Sequence, residues 1–157
     1  MVTITRSTVL DAPADRVWEA VKTPAAFRLV TRGVLGIPAL RGRREPWEQG
    51  ETVVVRLFLL GVVPAWRHHL TVAEIDDDAR VLRSDEHGGV LRSWRHDITV
   101  TPLDDDRCGY EDRIDIDAGR LTPVAGRVAD VFYRIRQSRW RELALALYAA
   151  VRPGKTA

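Results

Sequence analysis

The sequence predicts an α+β fold: a curved antiparallel β-sheet of about seven strands wrapped around a long C-terminal helix, with two short helices after the first strand. Three observations carry this. Residues 2–10, VTITRSTVL, alternate polar and apolar and are rich in β-branched side chains, which suits a strand. From Trp47 to Asp117 the chain reads as strands broken by short polar turns such as DDDA and HGG, the pattern of an antiparallel meander. Residues 121–151 carry apolar side chains at spacings of three and four, the longest helical pattern present. A sheet of that extent must curl, because strands twist. The C-terminal helix is the element long enough to cover its inner face, and a hollow too wide for side chains to fill is expected between them.

Element by element, Asp11 is expected to cap the first short helix, with Pro13 in its first turn and Asp15 at the positive end of its dipole. Val17, Trp18 and Val21 supply helical spacing, with Trp18 in the core. Thr23-Pro24 ends that helix and caps a second one through Phe27, Leu29 and Val30. Residues 31–46 hold three glycines, two prolines and the run RGRRE; they read as a solvated loop, the alternative being a gate over a cavity. ETVVVRLFLLG, PAWRHHLTVAEI, RVLRSDE, VLRSWRHDITVTP and CGYEDRIDIDA follow as strands. In the terminal helix Pro123 sits in the first turn, and Leu121, Val124, Val128, Val131, Phe132 and Ile135, then Leu143, Leu147 and Val151, form the apolar stripe. Tyr133 and Trp140 are expected to pack on the sheet. Arg127, Arg134 and Arg141 form a solvated face, and Pro153 with Gly154 ends the helix.

Composition narrows the function classes. A chain of 157 residues fits one domain, residues 1–157, and 45% hydrophobic with 29% charged residues is ordinary for a soluble globular protein. A net charge of +2, from 24 basic and 22 acidic residues, gives no reason to expect a nucleic acid partner. Cys108 is the single cysteine, which excludes an intrachain disulfide and a multi-cysteine metal site; it reads as a small hydrophobe. No signal peptide is visible, and the longest apolar run, LFLLGVVPAW, is about half of a membrane span, so a cytoplasmic protein is expected. No HExxH, GxGxxG or GxxxxGK[ST] occurs, and nothing brings His68, His69 and His96 together, so neither metal nor nucleotide cofactor is expected. Monomer and homodimer fit the sequence equally.

The informative anomaly lies in SWRHDITVTPLDDDRCGYEDRIDIDAG. With period two, His96 shares a face with Trp94, Ile98 and Val100, and Asp112 shares one with Tyr110, Ile114 and Ile116. Pairing through the turn at Asp104–Asp106 sets His96 opposite Asp112 or one pair diagonal to it, within about 8 Å in either register. A carboxylate on an inner face must be paired, and next to an imidazole it would fix the ring's tautomer, the arrangement of a general acid or base. The plainer alternative is a hydrogen-bonded pair that stabilises the sheet, which is the commoner case. Arg92 shares the parity of His96 and could anchor a carboxylate or enolate, though pairing with Glu86 across the HGG turn is favoured. Tyr110 could donate to a bound carbonyl, or sit at a pocket mouth. Trp66 and His68 are placed on the cavity side, a choice that a register slip of one residue would reverse.

LDAPADRVWEAVKTPAAF after the first strand, SWRHDITVTP and YEDRIDIDAG in the meander, and VFYRIRQSRWREL in the terminal helix together resemble the START-like (SRPBCC) superfamily of helix-grip proteins. This group includes polyketide cyclases, aromatases, plant pathogenesis-related allergens and lipid-transfer domains. The resemblance spans nearly the whole chain and is nearest to small bacterial cyclase/dehydrase-like proteins. It implies an apolar cavity for a small hydrophobic or aromatic ligand, lipids included, and it implies no single reaction, because the superfamily shares no catalytic motif to transfer. Three functions follow in order of preference. The first is a ligand-binding module oriented by His96 and Asp112, with Arg92, Trp94, Tyr110, Trp66 and His68 around the ligand. The second is a cyclase or dehydratase with His96 and Asp112 as catalytic pair and Arg92 or Tyr110 binding an oxyanion. The third is a protein-interaction module.

Overall fold

The computed structural model describes residues 1–151. Strand β1 (Val2–Leu10) alternates half-buried and exposed residues, as a strand with one covered face must. Helix α1 (Ala14–Val21) buries Ala14, Val17, Trp18 and Val21. Asp11 does not cap it. Pro13 holds the capping position in an extended conformation (φ −56°, ψ 139°), and its carbonyl accepts from Arg16 and Val17 at 3.0 and 3.2 Å. The ring fixes that φ, so the helix starts beyond the reach of the Asp11 side chain. Thr23 caps helix α2 (Pro24–Thr31) as expected, its hydroxyl accepting from the Ala26 N–H at 3.2 Å.

The stretch expected as a solvated loop is structured. It contributes a two-residue edge strand, β2 (Leu35–Gly36), and a 3-10 turn (Pro38–Leu40), and it buries Ile37 and Leu40 beside Trp47. Its glycine and arginine content masked apolar side chains too few and too irregularly spaced to show a period.

Strands β3 (Thr52–Leu59), β4 (Val63–Asp76), β5 (Val81–Gly88), β6 (Leu91–Pro102) and β7 (Cys108–Asp117) complete a seven-stranded sheet in the order β1-β7-β6-β5-β4-β3-β2. Every neighbouring pair is antiparallel. Register shifts between Arg56 and Phe58, Val72 and Glu74, and Glu86 and Gly88 add the local twist that curls it. The shift at Glu86–Gly88 matters most. Glu86 pairs with Trp94 and Gly88 with Leu91, so two residues of β6, Arg92 and Ser93, oppose the single His87. Both are exposed, and the period-two phase of β6 breaks there.

Helix α3 (Thr122–Val151) lies across the inner face. The apolar stripe read from the sequence is only in part the face it buries: Phe132, Ile135, Leu143 and Leu147 are partly buried. Leu121, Val124, Val128 and Val131 are exposed, whereas Ala129, Tyr133, Arg136, Gln137, Trp140 and Ala144 are buried. Small residues explain the rotation: a Cβ added at Gly126 would lie 3.0 Å from Val2, so the helix presses its glycine and alanines toward the sheet. Val124 and Val128 are left over the hollow. Arg127, Arg134 and Arg141 are exposed, and Arg134 pairs with Asp130 at 2.7 Å. Pro153 and Gly154, expected to end the helix, lie outside the described residues. Among the described residues no helix is long and apolar enough to cross a membrane.

Candidate functional site

Between α3 and the concave face of the sheet lies a cavity of about 330 Å³, within the range of small-molecule sites. Its walls are aromatic and aliphatic: Trp66 from β4, Trp94 from β6, Leu57 from β3, Phe132 from α3. The displaced valines of α3, Val124 and Val128, stand at its rim with Leu121, Leu59 and Val90, all of them exposed. Its floor is polar: His68, Glu86, His96 and Arg136 reach it, with Tyr133 beside His96 and Arg136. Beneath the floor a second chamber of about 40 Å³ adds Ser84 and shares Glu86, His96 and Arg136. Trp66 is held against the β5–β6 turn, where Gly89 has φ +57° and a Cβ would fall 2.5 Å from the indole.

His96 and Asp112 come together by the diagonal register. His96 pairs with Ile114 and Ile98 with Asp112 across β6 and β7, and His96 Nε2 lies 2.9 Å from Asp112 Oδ1. Asp112 is fully buried behind His96, and both of its oxygens accept hydrogen bonds from other side chains as well. Tyr110 donates its hydroxyl to Oδ1 at 3.0 Å, and Gln137 donates to Oδ2 at 3.3 Å while also bonding the Arg6 carbonyl at 2.6 Å. Arg136 Nε stands 3.7 Å from Oδ1. Burial alone would raise the Asp112 carboxyl, but Arg136, His96 and Tyr110 together hold it below its ordinary value. With the carboxylate charged, Nε2 of His96 is the donor and Nδ1 is the ring's other nitrogen. Burial pushes the Tyr110 and Tyr133 hydroxyls well above the ordinary tyrosine value, so both stay protonated.

A second imidazole–carboxylate pair faces the same cavity. His68 Nε2 is 2.7 Å from Glu86, which also accepts from the Ser84 hydroxyl at 2.8 Å. Burial opposes the charge on Glu86, but His68, His96 and Ser84 outweigh it and lower its carboxyl too. Two buried carboxylates with depressed values make a pH prediction. Each stabilises the fold fully above its unfolded value, near pH 4, and the contribution disappears as pH falls through the folded value. Melting temperature is therefore expected to fall steeply between about pH 5 and pH 3, and Asp112→Asn should fall less over that window. Equal slopes in the two proteins would contradict the assignment.

Of the residues singled out from sequence, His96, Trp94, Trp66 and His68 line the cavity, and Asp112 stands directly behind His96. Two do not reach it. Arg92 is turned outward by the β6 bulge, its guanidinium over Gly119, where a Cβ would meet it at 3.0 Å. Nor does it pair with Glu86, which is taken by His68. Tyr110 is buried, its hydroxyl donates to Asp112, and it is not among the residues that line the cavity. Cys108 is buried, and burial pushes its thiol up to about 11, which suits a packing role. Sequence reasoning missed Arg136 and Gln137 and left Tyr133 as packing. The signal existed: positions 133, 136, 137 and 140 fall on one helical face, so Arg136 and Gln137 are polar residues in apolar phase, as His96 and Asp112 are on their strands.

Solved structures share this architecture. Norcoclaurine synthase from Thalictrum flavum, solved in complex with dopamine and hydroxybenzaldehyde, superposes with a TM-score of 0.67 at 14% identity, over 92% of this chain and 87% of that one. The Zhui aromatase/cyclase of a Streptomyces species gives 0.63 at 18% identity over 99% of both chains. A protein from Chromobacterium violaceum gives 0.70 at 15% identity, over 90% of this chain and 96% of that one. At these identities the likeness establishes the fold alone, the helix-grip fold expected from the sequence. No curated protein matches the chain by sequence. A family profile does, over residues 8–144, and by that match the chain belongs to the family described as "Domain of unknown function (DUF8410)".

Proposed function

We propose that the protein binds a small, largely hydrophobic or aromatic molecule in the cavity between the sheet and α3. The observation that carries this is the cavity itself: about 330 Å³ of space with apolar walls and a floor where two imidazole–carboxylate pairs meet. Protein interiors hold few voids larger than a water molecule, so a space of this size stands apart from ordinary core packing. The solved neighbours named for aromatic chemistry, a synthase with dopamine and hydroxybenzaldehyde and an aromatase/cyclase, support the same ligand class. The neutral fluorophore N-phenyl-1-naphthylamine tests it. Saturable enhancement at one molecule per chain is expected, whereas absent or non-saturable enhancement would count against a formed site.

A second reading, a cyclase or dehydratase, is favoured by one observation. Asp112 fixes His96 with Nε2 donating, and His96 lines the cavity, which is what proton transfer to or from a bound ketone or aldol requires. In that case His96→Ala abolishes turnover and leaves fluorophore binding intact; retained turnover removes His96 from the chemistry.

A further inference from the structure

We infer that the ligand carries an anionic oxygen group, a carboxylate or an acidic enol or phenol in its ionised form, and that Arg136 on α3 receives it at the floor of the cavity. The inference rests on the cavity being a ligand site and adds the ligand's charge and the residue that reads it.

Arg136 leaves most of its hydrogen-bonding capacity unused. Its side chain is 4% exposed and reaches both the main cavity and the chamber below. A guanidinium carries five N–H donors in a rigid fork. Among the described residues only Nη2 is bonded, to the neutral Tyr110 hydroxyl at 3.3 Å, and Nε is buried without a partner. Asp112 supplies charge but not a hydrogen bond, since its Oδ1 stands 3.7 Å from Nε. Both oxygens of that carboxylate are already engaged, Oδ1 by His96 and Tyr110 and Oδ2 by Gln137. Glu86, the other anion on the floor, is engaged at 2.7 Å by His68 and at 2.8 Å by Ser84. Arg136 is therefore the charged floor residue whose donors are largely unspent.

Its mounting points the same way. The guanidinium carbon lies 5.5 Å from the Tyr133 ring centre and 5.8 Å from that of Phe27, so two aromatic faces hold it at the junction of the chambers. A buried guanidinium short of hydrogen bonds is unfavourable, and a planar oxyanion presenting two oxygens is the partner its fork fits. The apolar part of such a ligand would lie toward Trp66 and Trp94, its acid end down. The carboxylate-binding role that the sequence suggested for Arg92 falls to a different arginine, on the opposite layer of the fold.

The test compares three probes of one shape: naphthalene-2-acetate, its neutral amide naphthalene-2-acetamide, and the cation 2-(2-naphthyl)ethylammonium, by calorimetry and by displacement of N-phenyl-1-naphthylamine. Wild type is expected to bind the acetate at least about tenfold more tightly than the amide, and the ammonium most weakly. Arg136→Gln should bring acetate and amide to within about twofold, and Arg136→Lys should keep part of the preference. If Arg136→Gln does not fold, the wild-type comparison still decides. Amide or ammonium binding as well as or better than acetate overturns this inference and leaves the cavity reading standing; an acetate preference that survives in Arg136→Gln overturns the assignment to Arg136. Failure of all three probes and of the fluorophore overturns both.

Discussion

Asp112→Ala is expected to cost about 3–5 kcal/mol of unfolding free energy, the range for removing one member of a buried charged pair. The side chain is 0% exposed and accepts from His96, Tyr110 and Gln137, and it is the nearest negative charge to Arg136. Alanine would leave three donors unsatisfied and a guanidinium without its counter-charge, each a cost of its own. Asp112→Asn keeps the shape and some of the hydrogen bonds, so it should cost less. Adding Arg136→Met to Asp112→Ala should restore part of the loss, because a neutral apolar side chain no longer needs the charge. Urea unfolding of wild type, Asp112→Ala, Arg136→Met and the double variant reads the coupling directly. A loss below about 1 kcal/mol in Asp112→Ala would mean that the cluster is far wetter or looser than its geometry indicates.

The second large effect concerns the cavity. Ala125 on α3 lines it and is only partly buried, so a bulky side chain there can project into the open space rather than into packed neighbours. Ala125→Trp is expected to reduce N-phenyl-1-naphthylamine binding at least about tenfold, with a change in stability within about 1 kcal/mol. The same substitution at Ala129, which is 1% exposed, should instead destabilise, because that position belongs to the buried core cluster with Ile114, Ile116 and Tyr133. If Ala125→Trp bound the fluorophore as wild type does, the dye would have to sit elsewhere.

Much of this was legible in the sequence, for identifiable reasons. The alternation that opens VTITRSTVL, its β-branched content and the polar turns of the meander report one covered face per strand, so element types and order could be read. His96 and Asp112 stood out because a polar side chain in apolar phase needs a partner, and period two left few candidates. Phase arguments fail where the period breaks. The extra residue in β6 turned Arg92 outward, and no local signal in LRSWRH announces a bulge. On α3 the larger apolar residues outweighed the smaller ones in the periodicity. The buried face is set instead by Gly126, Ala129 and Ala144, which let the helix approach, and by Arg136 and Gln137, whose polarity argued against burial until their partners on β7 and β1 were in place. The capping position went to Pro13 rather than Asp11 because backbone conformation outranked side-chain preference.

The most direct measurement is a crystal structure of the protein grown with naphthalene-2-acetate. Ring density between Trp66, Trp94 and Phe132, with the carboxylate within about 3 Å of the Arg136 guanidinium, is the expected result. A cavity collapsed onto its own side chains, or the compound bound on the outer face of the sheet with the floor untouched, would contradict it.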